Sequence, residues 1–477
     1  GSPELHLLMP NGKARTMHNK TYSRSFRRLA WAVTLILPLS AALTACDLDK
    51  VLKVNDPDTV NPGTLDDPRA LSQVVGGAIR DFQDGYAGSG DRFMAVSALM
   101  SDEFYSTGTF TTRTATDRRD QFPIAQGNTS DGSYVNLQFA RRALKDAAVR
   151  LADAEGTSDP DYALLKAMEG YTYVALAEGY CGYIPFSSIE DGNYVEGAPL
   201  TATAALEASL PVFDIAINLG SDLARIGKGR ALVNLGRYSE AAAAVASVDT
   251  DYVYYLEHSS SSSIPSNPFY SLQANGRYSM GQVEGANGLP FRDPSNTDPW
   301  DPDNADPRVP WINDGPGFDP GLGDVAMAKY FSFDDDVILA DGVEARLIEA
   351  EAALNGSGDW VGILNALRAD ADNLIPLRTT MPPTDMTLAP LSATGTPEGD
   401  IMLLMEERAW WLWGTGHRLG DMRRMVRNYT MAAANIYPNG DYHKGGVYGS
   451  DVVFLLDFDE GNNTLFDPES CSPVSVQ

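Results

Sequence analysis

His417 and Asp421 stand four residues apart, with Arg418, Arg423 and Arg424 beside them and Glu407 and Arg408 just upstream. At that spacing an imidazole and a carboxylate share one helix face, and such a pair could move a proton. Buried structural networks use the same residue types, and the surroundings favour that use. Trp410, Trp411 and Trp413 read as core anchors, and Gly414 and Gly416 should interrupt the helix that begins near Pro397. Enzyme motifs are missing elsewhere. There is no His-Glu-x-x-His, no Gly-x-Ser-x-Gly, no Cys/His zinc spacing and no phosphate loop. No catalytic residue and no cofactor are therefore expected. Carboxylate pairs are plentiful, so a glycoside hydrolase stays open as an alternative.

Binding residues are the better target. Pro290 to Asp324 holds eight prolines, eight aspartates and two tryptophans without a helical period. A structureless run of this length inside a domain is usually functional or disordered, and tryptophan argues against disorder. Sugar rings stack their C–H faces on Trp and Tyr, while Asp, Asn and Arg bond hydroxyls; peptides could use the same surface. Tyr270, Tyr278, Trp300, Arg308 and Trp311 are the first ligand candidates, although each could simply anchor a loop. A second group follows the helix ending near Met100: Phe104, Tyr105, Phe110 and Arg113, around a Thr-rich loop from Thr107 to Thr116. Asp298, Asp301, Asp303 and Asp306 raise the question of calcium. Their spacing fails the EF-hand pattern, since Ala305 breaks it and no closing glutamate follows, so no metal is expected.

Location is written near the start. Residues 1–16 lack cap, period and apolar face and read as a tag or a non-native extension. From Met17, Lys20, Arg24, Arg27 and Arg28 precede the short apolar run Leu29–Leu43. That run is too short for a bilayer, which needs about 20 apolar residues, so residues 17–45 read as a signal peptide. Leu43-Thr44-Ala45-Cys46 resembles a lipobox, with Cys46 as the lipidated residue; an ordinary secretory peptide with an incidental cysteine is the alternative. The formal charge of the whole chain is −28, with 36 Lys+Arg against 64 Asp+Glu. Such a chain repels nucleic acid, so a nucleic-acid partner is excluded. Beyond Cys46 only Cys181 and Cys471 remain, either bridged in an oxidising compartment or left as two buried thiols.

Helical periodicity dominates the rest, as in Leu71, Val74, Val75, Ala78, Ile79 and Phe82 after the start signal Asp66-Asp67-Pro68. Strand-like alternation is confined to short pieces such as Val452–Phe458. Ala231-Leu232, Gly236 and Tyr238 match Ala353-Leu354, Gly358 and Trp360 with identical spacing. Each set predicts a helix closed by glycine and a second helix opened by an aromatic, a tetratricopeptide-like hairpin without a regular period. Residues 46–477 thus read as one all-α domain of degenerate helix pairs, with a long loop insertion over about 259–336.

Glu407-Arg408, Gly416-His417-Arg418, Asp421 and Arg423-Arg424 resemble the C-terminal helical signature of the SusD/RagB family. Arg346–Ala352, Leu364–Arg368 and Asp306-Pro307-Arg308 are similar to further family segments. The tail departs from the family's Pro-Ile-Pro strand, reading Val453-Phe454-Leu455-Leu456. The resemblance implies a SusD-like helical scaffold, with a ligand surface assembled from an early loop and a later insertion. It also implies a surface-exposed outer-membrane lipoprotein, anchored to the membrane by lipid. Such a protein passes a glycan or peptide oligomer to a SusC-like TonB-dependent barrel. A helical-repeat scaffold lipoprotein that binds other proteins is the competing reading.

Overall fold

Among the described residues, seven α-helices begin where the sequence supplies a cap. Asp159, Thr201, Ser221, Asn267, Asp341, Asp359 and Thr396 each accept a backbone N–H of the turn they open, filling a donor that the helix itself leaves unpaired. Pro160 and Pro397 follow their caps, where a missing N–H removes no hydrogen bond. The computed structural model describes residues 70–190, 193–261, 264–281, 284–292 and 306–476. These belong to one compact unit. The signal peptide, Cys46, the Asp66-Asp67-Pro68 start signal, Trp300, Asp298, Asp301 and Asp303 lie outside the described residues.

The first helices are α1 (Leu71–Ala87), α2 (Phe93–Met100), α3 (Thr111–Asp117), α4 (Asp131–Glu155), α5 (Pro160–Gly179), α6 (Ala202–Ile217), α7 (Asp222–Asn234) and α8 (Tyr238–Val245). After the short α9 (Pro268–Gln273) come α10 (Gly342–Gly356), α11 (Trp360–Ala369), α12 (Ala371–Leu374), α13 (Pro397–Trp411), α14 (Arg418–Asn428) and α15 (Ala433–Ile436). Neighbours pack in series: α1 on α4, α4 on α5, α5 on α6, α6 on α7, α7 on α8, α8 on α10 and α10 on α11. In α1 the buried positions Leu71, Val75, Ala78 and Phe82 recur at helical spacing and face α4. At the middle of the ladder, Phe213 of α6 lies between Gly170 of α5 and Gly227 of α7. A Cβ on either glycine would stand 2.5 Å from its ring.

The two matched segments do form helix hairpins. Gly236 takes a left-handed turn (φ 71°) between α7 and α8. Between α10 and α11 the left-handed residue is Ser357 (φ 66°), while Gly358 provides room beside Ala353. The same spacing builds the same turn through a different residue.

Strands occur only as two-stranded pairs among the described residues. β1 (Phe104–Ser106) pairs with β7 (Tyr278–Met280), and β6 (Val253–Leu256) with β10 (Val337–Asp341). β2 (Ile184–Pro185) meets β5 (Pro199–Leu200), and β3 (Ser188–Glu190) meets β4 (Asn193–Val195). The insertion is more ordered than its composition predicts, since β8 (Trp311–Pro316) and β9 (Gly323–Met327) form an antiparallel hairpin. Conversely, Val452–Phe458 is no strand. Only Phe454 bridges to the end of α5, giving its carbonyl to Cys181 N–H and its N–H to the Gly179 carbonyl, both at 2.8 Å. Cys181 and Cys471 are bonded nearby, with Cα atoms 5.3 Å apart, which is ordinary disulfide spacing.

The signature around α13 and α14 is entirely interior. Gly414 and Gly416, at φ 65° and 78°, end the helix as expected and turn the chain into α14. Asp421 does not pair with His417. It accepts from Arg408 (2.8 and 3.0 Å) and Arg424 (2.9 Å), and Arg424 also grips Glu351 of α10 at 2.8 and 2.9 Å. His417 Nε2 lies 3.2 Å from Glu344, itself held by Arg230 of α7 at 2.7 Å. Arg423 donates to the Tyr180 carbonyl, and Glu407 accepts from Arg308 and Arg368. Arg418 reaches Asp102 at 2.8 and 3.0 Å.

Burial alone would raise the acids, but Arg408 and Arg424 hold Asp421 well below the carboxylate range. Glu344 is likewise held down to about 2 by Arg230 and His417. Burial and the Arg230 charge press His417 down to about 4, against the pull of Glu344. All three have folded-state pKa values below their unfolded ones, so each contributes stability that is lost as pH falls. The His417 share should disappear as pH drops from about 6.5 toward 4, and the carboxylate share below about 4. Urea midpoints measured across that range should fall in both steps, and His417→Asn should shrink the upper one, to which His258, also pressed down to about 4 by burial, contributes the remainder. A flat profile between those limits in the unmodified chain would contradict the assignment. Asp421→Asn leaves two buried guanidinium groups short of compensation. It should cost about 3–5 kcal/mol of unfolding free energy, read by urea denaturation.

Candidate functional site

β1 begins directly after Asp102 and Glu103, the two residues that the signature holds. Phe104 is fully buried, stacked on Phe269 (5.2 Å) and Trp413 (5.7 Å). Tyr105 turns the other way, packs on His443 (4.6 Å) and donates its hydroxyl to the Gly323 carbonyl (3.3 Å). After Ser106 the chain enters a loop through Thr107 and Gly108 to Phe110, the residue that precedes α3.

The tip of the β8–β9 hairpin closes on this loop. Phe318 N–H donates to the Gly276 carbonyl and Asp319 N–H to the Thr107 carbonyl, both at 2.8 Å. Gly317 must be glycine there, because a Cβ would stand 2.6 Å from Thr107 Cβ. Two phenyl rings from distant segments are thereby brought to one guanidinium. The Arg277 Cζ lies 4.9 Å from the Phe110 ring centre and 3.3 Å from that of Phe318. Both rings are half open to solvent, at 53% and 50%. They form the outer face of the site.

Arg113 lies beneath. Its guanidinium sits 5.0 Å from the Phe110 ring and 5.3 Å from that of Tyr278, and pairs with Asp91 at 2.5 Å. The buried Tyr278 hydroxyl donates to the same carboxylate at 2.8 Å. Lys444, from the C-terminal segment, donates to the Gly108 carbonyl (2.7 Å), Ser106 Oγ (3.2 Å) and Thr114 Oγ1 (3.3 Å). Burial lowers the Lys444 ammonium pKa, against the opposing pull of Asp117 and Asp319. Asp117 is raised by burial, although His443 acts to lower it and Tyr442 and Ser106 N–H bond to it. The arrangement offers stacking faces, a fork of N–H donors and an ammonium, all suited to holding a ring-bearing polar ligand.

The early loop and later insertion therefore meet, bringing Tyr105, Phe110, Arg113 and Tyr278 together. Tyr270 packs instead edge-on to Phe331 (5.8 Å) and Phe333 (4.8 Å). Trp311 is buried under Arg292 at 5.5 Å. The Arg308 guanidinium is also interior, committed to Asp306 and Glu407 at 2.6 and 2.8 Å. Phe104, Tyr278, Trp311 and Arg308 thus face the core, where their rings are buried and the Arg308 charge is paired. Arg277, Phe318, His443 and Lys444 were not singled out from the sequence. Only the Asn275-Gly276 turn ahead of Arg277 hinted at a exposed corner.

No family model and no curated protein matches the sequence. Solved structures do match the fold. A SusD superfamily protein from Bacteroides thetaiotaomicron VPI-5482 superposes with a TM-score of 0.55 at 14% identity, over 75% of this chain and 88% of that one. The chain has the SusD-like fold. A SusD-like carbohydrate binding protein from Bacteroides vulgatus ATCC 8482 matches at 0.53 and 16% identity, over 75% and 83% of the two chains. Another SusD-like carbohydrate binding protein, from Bacteroides fragilis NCTC 9343, matches at 0.51 and 14% identity, over 73% and 85%. Within the SusD-like fold, the helical ladder is the scaffold. The paired loops around Gly108 are what it carries.

Proposed function

We propose that this protein captures a glycan oligomer at the Phe110–Arg277–Phe318 cluster and performs no chemistry on it. The carrying observation is the pair of half-exposed phenyl rings flanking one guanidinium, on loops backed by the rigid β1–β7 pair. Aromatic faces take the C–H side of a sugar ring, and the donors of Arg277, Arg113 and Lys444 take its oxygens. Tyr105 contributes at the rim, and Trp300 stays a ligand candidate on its residue type alone. The carbohydrate binding named for two of the similar structures supports glycan over peptide. Two of the nearby acids are already engaged, Asp91 with Arg113 and Tyr278, and Asp117 with Tyr442 and Ser106. That favours holding over hydrolysis.

The finer reading is a lipoprotein tethered through Cys46 to the outer membrane, handing its glycan to a SusC-like TonB-dependent barrel. Its support is the lipobox at Leu43–Cys46 together with the SusD-like fold. Among the described residues no helix is long and apolar enough to cross a membrane.

Isothermal titration against a panel of glycan oligomers should find a binder, and Phe110→Ala with Phe318→Ala should weaken it by roughly tenfold or more. Unchanged affinity in the double variant would remove the cluster from the ligand surface. In a bacterial host that processes lipoproteins, the full chain should take up labelled palmitate, and Cys46→Ser should not. Equal labelling of the two would end the tether proposal.

A further inference from the structure

Three cations converge on one glycine in a chain whose formal charge is −28. A Cβ built on Gly108 would stand 3.6 Å from Arg113 Nη1 and 3.7 Å from Arg277 Nη1, and Lys444 Nζ is 2.7 Å from the Gly108 carbonyl. Only part of this positive charge is answered. Asp91 neutralises Arg113 through its Nε and Nη2 edge. Arg113 Nη1 is buried without a hydrogen-bond partner among the described residues, in a side chain only 6% exposed. Lys444 donates to a carbonyl and two hydroxyls, with the carboxylates of Asp117 and Asp319 close enough to act on its charge. Arg277 contacts two rings and forms no ion pair among the described residues.

The geometry at Arg277 matters as much as the charge. A guanidinium packed against phenyl rings, as here at 3.3 and 4.9 Å, keeps N–H donors for a partner and loses rotational freedom. Those donors match a carboxylate, which accepts two parallel N–H bonds. We infer that the ligand of this site is an acidic glycan, whose uronate carboxylate docks on the Arg277 edge over the Arg113–Lys444 pair at Gly108. The inference rests on the glycan reading above and specifies its ligand class.

The test is titration calorimetry on the whole protein with oligogalacturonate, oligoalginate and chondroitin oligosaccharides, beside neutral xylo- and gluco-oligomers. The methyl ester of each binding uronate serves as a neutral isostere. At least one uronate oligomer should bind roughly tenfold or more tightly than its ester, as expected for a charge-assisted fork. That advantage should shrink as NaCl rises from about 0.05 to 0.5 M. Arg277→Met should bring the acid-to-ester ratio close to one, and Arg277→Lys should restore only part of it. The ratio is read on folded protein, checked by circular dichroism, so a general loss of affinity does not mimic the result. Equal affinity for acid and ester, or preference for neutral oligomers, overturns the inference and leaves glycan capture standing. An acid-to-ester ratio unchanged by Arg277→Met overturns it as well. Failure of every oligomer, neutral or acidic, overturns both readings.

Discussion

The link on which the molecule turns is short: Asp102 to Arg418, with Glu103 to the Gly414 amide beside it. Arg418 approaches both oxygens of Asp102, and Asp102 also accepts from Leu289 N–H. Glu103 accepts from Gly414 N–H at 2.8 Å. Taking a carboxylate and a guanidinium out of water costs several kcal/mol per ion, so such a pair persists only with excellent geometry and further hydrogen bonds. Burial pushes Glu103 up to about 8 even against the Gly414 bond, so this second acid sits largely protonated at neutral pH and adds little to the charge being desolvated. A buried pair of this kind does more to specify one arrangement than to stabilise it. Here the arrangement joins residues more than three hundred positions apart.

That join is what aims the site. The residue after Glu103 is Phe104, clamped between Phe269 and Trp413, and Trp413 precedes Gly414. One side of β1 is therefore fixed to the signature by stacking, and its entry is fixed by Asp102 and Glu103. Everything downstream, through Thr107 and Gly108 to Phe110, inherits that position. The hairpin tip then docks on backbone bonds to Thr107 and Gly276 rather than on a core of its own. Cross-strand bonds such as Val325 N–H to Ser279 Oγ hold its base to β7. Loops that bind while a rigid scaffold aims them are a common division of labour.

What could be read from the sequence follows from the range of the interactions. The helix start near Pro397 was legible because a cap and its target lie within three residues, here Thr396 and Gly399. The repeated Ala-Leu…Gly…aromatic spacing was legible for the same reason. Asp421 was misread because spacing along a helix shows which residues could meet, not which competitor is closer. Arg408 and Arg424 both outcompeted His417, whose Nδ1 instead faces Thr415 at 2.7 Å. Arg308 and Trp311 were drawn from a segment that composition marks as irregular, yet β8 carries Trp311 inward and Glu407 claims Arg308. Phe318 and Lys444 carried no local signal, and Arg277 carried only the Asn275-Gly276 turn ahead of it. They become a site only when four segments, from the early loop, the turn before β7, the hairpin and the tail, meet at Gly108.

The placement of Asp91 decides how that meeting behaves electrostatically. Its two oxygens serve Arg113, and one also takes the Tyr278 hydroxyl, so its capacity is spent below the surface. Had the acid lain beside Arg277 instead, the outer guanidinium would be neutralised and its donor edge filled. As built, the deep cation is paired and the exposed one is not. In an acidic protein, long-range repulsion would keep anionic ligands away, and an unanswered cation beside two apolar rings supplies a local exception. Salt screens the distant carboxylates over about 8–10 Å, whereas contacts at the Arg277 edge lie well inside that length. The local positive charge therefore governs whatever reaches the rings.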